Sequence, residues 1–216
     1  MRPLTETTPK PLIKVCGTPL LEHVIAALPK EITELILVVG YLEDQIRAHC
    51  GEEFQGKKVV YATQADFAGG TGDALLCAKE HVTGRFLFMY ADDIHGAPAL
   101  KEAVQHPHAI LAAYSETPEN FGVLVENEDG GLKEILEKPK DPPSNKVNIG
   151  GLVLEPSIFA HKAEVSEEHG ELLVTDMITK YAKEHFMQIV MQDLWIPVGK
   201  PEDIKKAESI LCPNKN

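Results

Sequence analysis

Arg85-Phe86-Leu87-Phe88-Met89-Tyr90-Ala91-Asp92-Asp93 opens on a charge, runs through six apolar or aromatic residues and stops at two carboxylates. An unbroken apolar run of this length reads as a strand buried on both faces, the form strands take in parallel sheets covered by helices. In open α/β sheets ligands sit beyond the carboxyl ends of the strands, which is where Asp92 and Asp93 fall. A carboxylate there can hold Mg²⁺, which takes one or two carboxylates plus substrate phosphate oxygens. Asp is equally a favoured turn and N-cap residue, and position alone does not separate the two readings.

Outward from this run the chain alternates. On the N-terminal side, Leu35-Ile36-Leu37-Val38-Val39 closed by Gly40 is a second buried-strand run, and Val59-Val60-Tyr61-Ala62 a third. Helices are expected at Leu20–Leu28, with Thr18 capping and Pro19 at the first helical position, around Asp44–His49, and through Ala74–Glu80 after the glycine loop at 69–72. On the C-terminal side come a helix at Ala97–Gln105 and a strand at Ala109–Ala113. This alternation predicts an α/β, Rossmann-like three-layer sandwich with a mixed, mainly parallel sheet. An antiparallel hairpin elaboration follows: Phe121-Gly122-Val123-Leu124-Val125, a turn at Asn127-Glu128-Asp129-Gly130-Gly131, then Leu132-Lys133-Glu134-Ile135-Leu136. Prolines 139, 142 and 143 force a loop. A strand at Asn148–Leu154, helices around Thr175–Glu184 and Pro201–Leu211, and strands at Gln188–Val190 and Trp195–Val198 complete a single expected domain, residues 1–216.

The 216 residues carry 21 Lys and Arg against 33 Asp and Glu, a formal charge of −12. Nucleic-acid binders need a basic stripe, so that class is excluded, whereas a small anionic ligand needs only a few clustered cations. No apolar run reaches the ~20 residues that span a bilayer, and no signal-peptide pattern follows Met1. The four cysteines (16, 50, 77, 212) contain no CxxC pair and read as reduced thiols of a cytoplasmic protein. The nine histidines show no H-E-x-x-H pattern, and none is assigned to a metal.

Three further motifs carry chemistry. Lys10, clamped between Pro9 and Pro11, loses little backbone entropy on being fixed and suits a phosphate-meeting cation; a solvated lysine on a rigid loop is the plainer reading. Gln64, followed by Gly69-Gly70-Thr71-Gly72, is strand, glycine loop and helix start. Its backbone admits close ligand approach and its amide can read a base edge, although glycine loops that merely turn are common. Glu137-Lys138-Pro139 at a hairpin end offers a carboxylate for sugar hydroxyls and an ammonium for a phosphate, or simply a solvated charge pair.

Together these blocks resemble the sugar-1-phosphate nucleotidylyltransferases, in particular those acting on glucose 1-phosphate with thymidine nucleotides and on mannose 1-phosphate with guanosine nucleotides. The opening segment from Arg2 through Lys10-Pro11-Leu12 to Gly17-Thr18-Pro19-Leu20-Leu21-Glu22-His23 carries most of the likeness. Gln64…Gly70-Thr71-Gly72-Asp73, Tyr90-Ala91-Asp92-Asp93, Phe121-Gly122, Glu137-Lys138-Pro139, Asn148-Ile149-Gly150-Gly151, Thr175-Asp176 and Trp195…Asp203 follow in family order. The resemblance implies nucleotidyl transfer from a nucleoside triphosphate to a sugar 1-phosphate, with Mg²⁺ as cofactor. Lys10 and Asp92 are then catalytic, with Asp92 the metal ligand. Gln64, Gly70 and Thr71 bind the nucleotide, and Gly122, Glu137, Lys138 and Asn148 bind the sugar phosphate. Thymidine or uridine with glucose 1-phosphate is expected ahead of guanosine with mannose 1-phosphate; a homo-oligomer is left open.

Departures from the family pattern qualify this. Members begin with a strand and a G-x-G-T-R loop, whereas this sequence starts just after that loop's arginine, and Arg2 is not its equivalent. The expectation is a domain short of roughly 15–20 N-terminal residues, with raw edges where a central strand would run. A second metal-binding aspartate is replaced by Pro197, and Lys200 stands where a threonine or tyrosine is common. The sequence ends at Asn216, so no C-terminal β-helix domain and no second activity are expected. A non-catalytic, nucleotide-sugar-binding or regulatory homologue is the alternative reading.

Overall fold

The computed structural model describes residues 1–66, 68–166 and 170–213. In chain order the strands are β1 Lys14–Val15, β2 Thr18–Pro19, β3 Glu34–Val39, β4 Glu53–Phe54, β5 Lys57–Thr63, β6 Phe86–Met89, β7 Asp93–His95, β8 Ala109–Tyr114, β9 Gly122–Glu126, β10 Leu132–Glu137, β11 Lys146–Leu154, β12 Gln188–Met191 and β13 Trp195–Pro197. The helices are α1 Leu20–Ala27, α2 Glu43–Cys50, α3 Gly70–Cys77, α4 Ala97–Ala103, α5 Val174–Tyr181 and α6 Pro201–Leu211.

Strand β8 shows why the molecule is layered. Successive side chains of a strand point to opposite faces. Ile110 and Ala112 pack with Leu75 of α3 and Val174, Met177 and Ile178 of α5, while Ala109, Leu111 and Ala113 pack with Ala99, Leu100 and Ala103 of α4. All five strand residues are buried, so helices cover both faces and the three-layer α/β expectation holds. Each fully buried leucine or isoleucine contributes on the order of 1.5–3 kcal/mol.

The central sheet runs β10-β9-β11-β8-β12, with β6 also on β11. The sheets are mixed. Strand β12 runs parallel to β8, and β3 parallel to β5 from Glu34↔Lys58 to Val39↔Thr63. Ladders of β11 with β6, β8 and β9 are antiparallel, so antiparallel pairing takes a larger share than strand–helix alternation suggests. One strand, β11, meets three neighbours because its register shifts between Asn148 and Leu152. Gly150 lies at that shift with φ +78°, and an added Cβ would stand 2.0 Å from Tyr90 Cδ2. The hairpin expected at 121–136 is present as β9–β10, with Gly122 opposite Glu137.

Strands β3 and β6 are each paired on one side only among the described residues. Both line one cavity of about 910 Å³, in which Ile36 to Gly40 face Arg85 to Ala91. Along this cavity the backbone edges of both strands carry no further strand among the described residues.

Three local expectations are corrected. Thr18-Pro19 does not begin α1: it pairs with Lys14-Val15 as a small antiparallel hairpin, Pro19 is extended, and the helix starts at Leu20 without a side-chain cap. Helix α3 starts at Gly70, earlier than Ala74, because the loop backbone is tied to the 171–174 segment. The thiols are not all reduced: Cys16 is disulfide-bonded to Cys212, while Cys50 and Cys77 are free. The bond joins the β1–β2 turn to the end of α6, where Glu208 also accepts a hydrogen bond from the Cys16 N–H at 3.1 Å. A separation of 196 residues leaves no trace in sequence spacing. Among the described residues no helix is long and apolar enough to cross a membrane.

Candidate active site

Two sequence-remote segments meet at the carboxyl end of β6. Lys10 sits in a single 3₁₀ turn, Lys10–Leu12, held by Pro9 and Pro11. Its Nζ donates to Asp92 Oδ2 at 2.6 Å, with the side chains 26% and 41% exposed. A half-exposed pair of this kind contributes at most about 1 kcal/mol and exchanges readily for another anion.

Asp93 has a different job. Its Oδ2 accepts from Trp195 Nε1 at 2.9 Å and its Oδ1 from the Val198 N–H at 3.3 Å, which fastens β13 to β7. Burial, reinforced by the Asp92 charge and opposed by these hydrogen bonds, pushes its carboxyl up to about 6. Pro197 lies directly opposite Asp93 in the β7–β13 ladder and offers no side-chain ligand. Asp92, a hard oxygen donor at the cavity rim, therefore fits a divalent ion that takes one protein carboxylate and fills its remaining positions with water and phosphate. Nearby, His95 is buried with neither ring nitrogen hydrogen-bonded, and burial holds it down to about 4.

The glycine loop is braced from within. Gln64 Nε2 donates to the Gly70 carbonyl and to Asp73 Oδ2, both at 3.0 Å. Gly70 has φ +80°, and a Cβ there would stand 2.5 Å from the Leu172 carbonyl oxygen. Thr71 Oγ1 accepts from the Val174 N–H at 3.1 Å. Gln64, Gly70 and Thr71 are thus brought together, with the Gln64 amide donors and the Thr71 hydroxyl already engaged in holding the loop.

The sugar-phosphate set also converges. Gly122 faces Glu137 across the hairpin, and a Cβ on it would meet Ile135 Cγ2 at 2.9 Å, Glu137 Oε2 at 3.3 Å and Asn148 Cβ at 3.7 Å. Asn148 Oδ1 accepts from the Gly150 N–H at 3.0 Å. Lys138 is exposed at φ +42°, a left-handed conformation that side chains rarely adopt, and its N–H donates to the Phe121 carbonyl at 3.0 Å.

Two residues to which sequence reasoning assigned no role lie beside these. Thr175, on the first turn of α5, donates through Oγ1 to Glu137 Oε2 at 3.2 Å. Tyr90 packs against Gly150, and burial together with Glu137 raises its phenol well above the usual range. The position of Thr175 in the ordered blocks is the only signal that could have found it. Thr71, Tyr90, Asp92, Glu137, Lys138 and Thr175 all line the cavity that begins between β3 and β6.

Asp92, held by Lys10, and the polar residues Glu137, Lys138 and Thr175 thus lie on one cavity of an α/β fold. The nucleotidyl transferase family profile matches residues 1–213, and the chain belongs to that family. It is 33% identical over 219 residues to the bifunctional protein GlmU of Methanocaldococcus jannaschii, covering 100% of this chain and 52% of the relative. It is 33% identical over 224 residues to the UTP–glucose-1-phosphate uridylyltransferase AglF of Haloferax volcanii, covering 98% of this chain and 91% of the relative. The first-ranking relatives are longer, and the chain spans about half their length. A crystal structure from Bacillus anthracis, described as a candidate glucose-1-phosphate thymidylyltransferase in complex with sucrose, superposes with a TM-score of 0.84 at 25% identity, covering 97% of this chain and 89% of that one.

Proposed function

We propose that this chain, as one nucleotidyltransferase domain, joins a nucleoside monophosphate from its triphosphate to a sugar 1-phosphate. The observation that carries the reading is the meeting of Lys10 and Asp92 at the rim of the cavity that Glu137, Lys138 and Thr175 also line. A sugar-phosphate oxygen attacks the α-phosphorus, the bond to the bridging oxygen breaks, and its electron pair leaves with pyrophosphate. The nucleophile is already an anion, so the reaction needs alignment and positive charge more than a strong base.

Lys10 supplies charge by exchanging Asp92 for a phosphate of the incoming nucleotide. The same exchange frees Asp92, the residue that would hold Mg²⁺. The bound ion would neutralise phosphate charge as pyrophosphate departs. Gly70 lets the loop backbone approach the base, with Gln64 acting through the loop it braces and through its amide oxygen, and Thr71 fixing the loop. Glu137 and Asn148 orient the sugar in the space that Gly122 leaves, and Lys138 meets its phosphate. The names of the H. volcanii and B. anthracis proteins support uridine or thymidine with glucose 1-phosphate ahead of guanosine with mannose 1-phosphate. Nucleoside triphosphate donors favour a cytoplasmic setting.

The test is pyrophosphate release by the 216-residue chain with Mg²⁺, each nucleoside triphosphate and each hexose 1-phosphate. Pyrophosphate formed in step with a nucleotide sugar supports the reading. Binding of nucleotide sugars with no pyrophosphate from any pair would replace it with the binding-only alternative, which Pro197 opposite Asp93 favours.

A further inference from the structure

We propose that His161, Glu184 and His185 form a site for a divalent transition-metal ion, Zn²⁺ in the first instance, separate from Asp92. One ligand atom from each lies within 4.8 Å of the other two. His161 Nε2 and Glu184 Oε2 are 3.8 Å apart, too long for a hydrogen bond. Two ligands at ordinary zinc distances on a tetrahedral ion stand roughly 3.4 Å apart, so closure requires only a small side-chain shift. Two imidazoles and one carboxylate are a borderline donor set that suits Zn²⁺ rather than the all-oxygen shells of Mg²⁺ or Ca²⁺.

The imidazoles are held in place before any ion binds. Both rings pack on the fully buried Tyr181, that of His185 stacked at 4.1 Å and that of His161 edge-on at 5.5 Å. The Glu184 and His185 N–H groups donate to the Tyr181 carbonyl at 3.1 Å, which fixes the turn after α5. The His161 N–H donates to the Ile158 carbonyl at 3.0 Å. A third imidazole, His108, packs 4.7 Å from the His185 ring, with its Nε2 3.8 Å from Glu155 Oε2.

The site lies at the far end of α5 from Thr175, roughly 9 Å along the helix at 1.5 Å per residue. An ion there ties the turn after α5 to the segment that follows Pro156–Ala160, and so fixes the helix that presents Thr175 to Glu137.

The experiment uses the full chain without an affinity tag, treated with chelator and titrated with Zn²⁺ alone by calorimetry. Co²⁺ is titrated in parallel and followed by visible absorption. One equivalent of Zn²⁺ is expected, together with Co²⁺ bands of nitrogen and oxygen ligation. Affinity should fall at least about tenfold in His161→Ala and in His185→Phe, the second of which keeps a ring on Tyr181. Glu184→Gln, at an exposed position, removes the carboxylate without touching the packing and should also weaken binding. Absence of Zn²⁺ binding, or affinity unchanged in both histidine variants, overturns the proposal. Asp92→Asn should leave the Zn²⁺ stoichiometry unaltered, and its loss there would place the ion at the active site instead.

Discussion

Lys10 Nζ and Asp92 Oδ2, 82 residues apart in the chain, lie 2.6 Å from each other at the mouth of the cavity. On the proposed reading, each holds the charge that the other's ligand would bring, an anion for the lysine and a cation for the carboxylate. Substrate binding can therefore proceed by partner exchange, without first uncovering a buried charge.

Asp92→Asn keeps the shape and removes the charge. It should lower divalent-metal-dependent pyrophosphate release at least about 100-fold, in line with other lost electrostatic contacts to a reacting centre. Lys10→Ala should weaken triphosphate binding roughly 10- to 100-fold, the value of a charged hydrogen bond. Chemical denaturation of either variant should differ from the parent by no more than about 1 kcal/mol. Unchanged turnover and nucleotide affinity would remove both residues from the mechanism.

Lys138 holds a left-handed backbone that glycine would adopt freely. Lys138→Gly should raise stability by about 1 kcal/mol while raising KM for the sugar phosphate at least about tenfold. Urea denaturation beside steady-state kinetics reads both effects. A stability gain with an unmoved KM would mean that the strained lysine serves no substrate.

Gly150→Ala should cost at least about 2–3 kcal/mol. Its Cβ would lie 2.0 Å from Tyr90 Cδ2, and φ +78° adds a strain that no rotamer relieves. A thermal melt within a degree of the parent would show that Tyr90 can swing aside.

Asp93 sets a pH dependence. Its carboxyl is pushed from the ordinary carboxylate value of 3.8 up to about 6, burial being the largest cause. Between these values the folded state binds more protons than the unfolded one, so stability falls as pH rises through that window. The loss should be on the order of 2–3 kcal/mol. Asp93→Asn should flatten the profile measured by urea denaturation at pH 4 and pH 7. An equally steep profile in the variant would assign the slope to another group.

The Cys16–Cys212 bond closes nearly the whole chain into one loop. Cys212→Ser should cost about 2–4 kcal/mol. Reductant should lower the melting temperature of the parent and leave that of the variant unchanged. A parent insensitive to reductant would mean that the bond contributes nothing measurable.

Much of this molecule is legible because local chemistry repeats at short range. The apolar run of β6, the alternation that follows it and the turn at 127–131 mark strands and a hairpin wherever they are read. The hairpin register even places Gly122 against Glu137. The hairpin at β1–β2 misreads as a helix cap because Thr-Pro is chemically suited to both, and pairing with Lys14-Val15 decides between them. That Gln64 also braces its own loop was not legible, since its partner Asp73 comes within reach only once α3 has folded.

By itself, then, the sequence determined the α/β class, the family, and which residue types are available at each strand end. The tertiary structure decided the partnerships. Lys10 with Asp92, Glu137 with Thr175, Asp93 with Trp195 and Cys16 with Cys212 are all contacts between segments at least 38 residues apart. The physical reason is range. Periodicity, capping and turn chemistry act over a few residues, whereas these contacts are fixed by which helix covers which face of the sheet, a choice made by burial of the whole core.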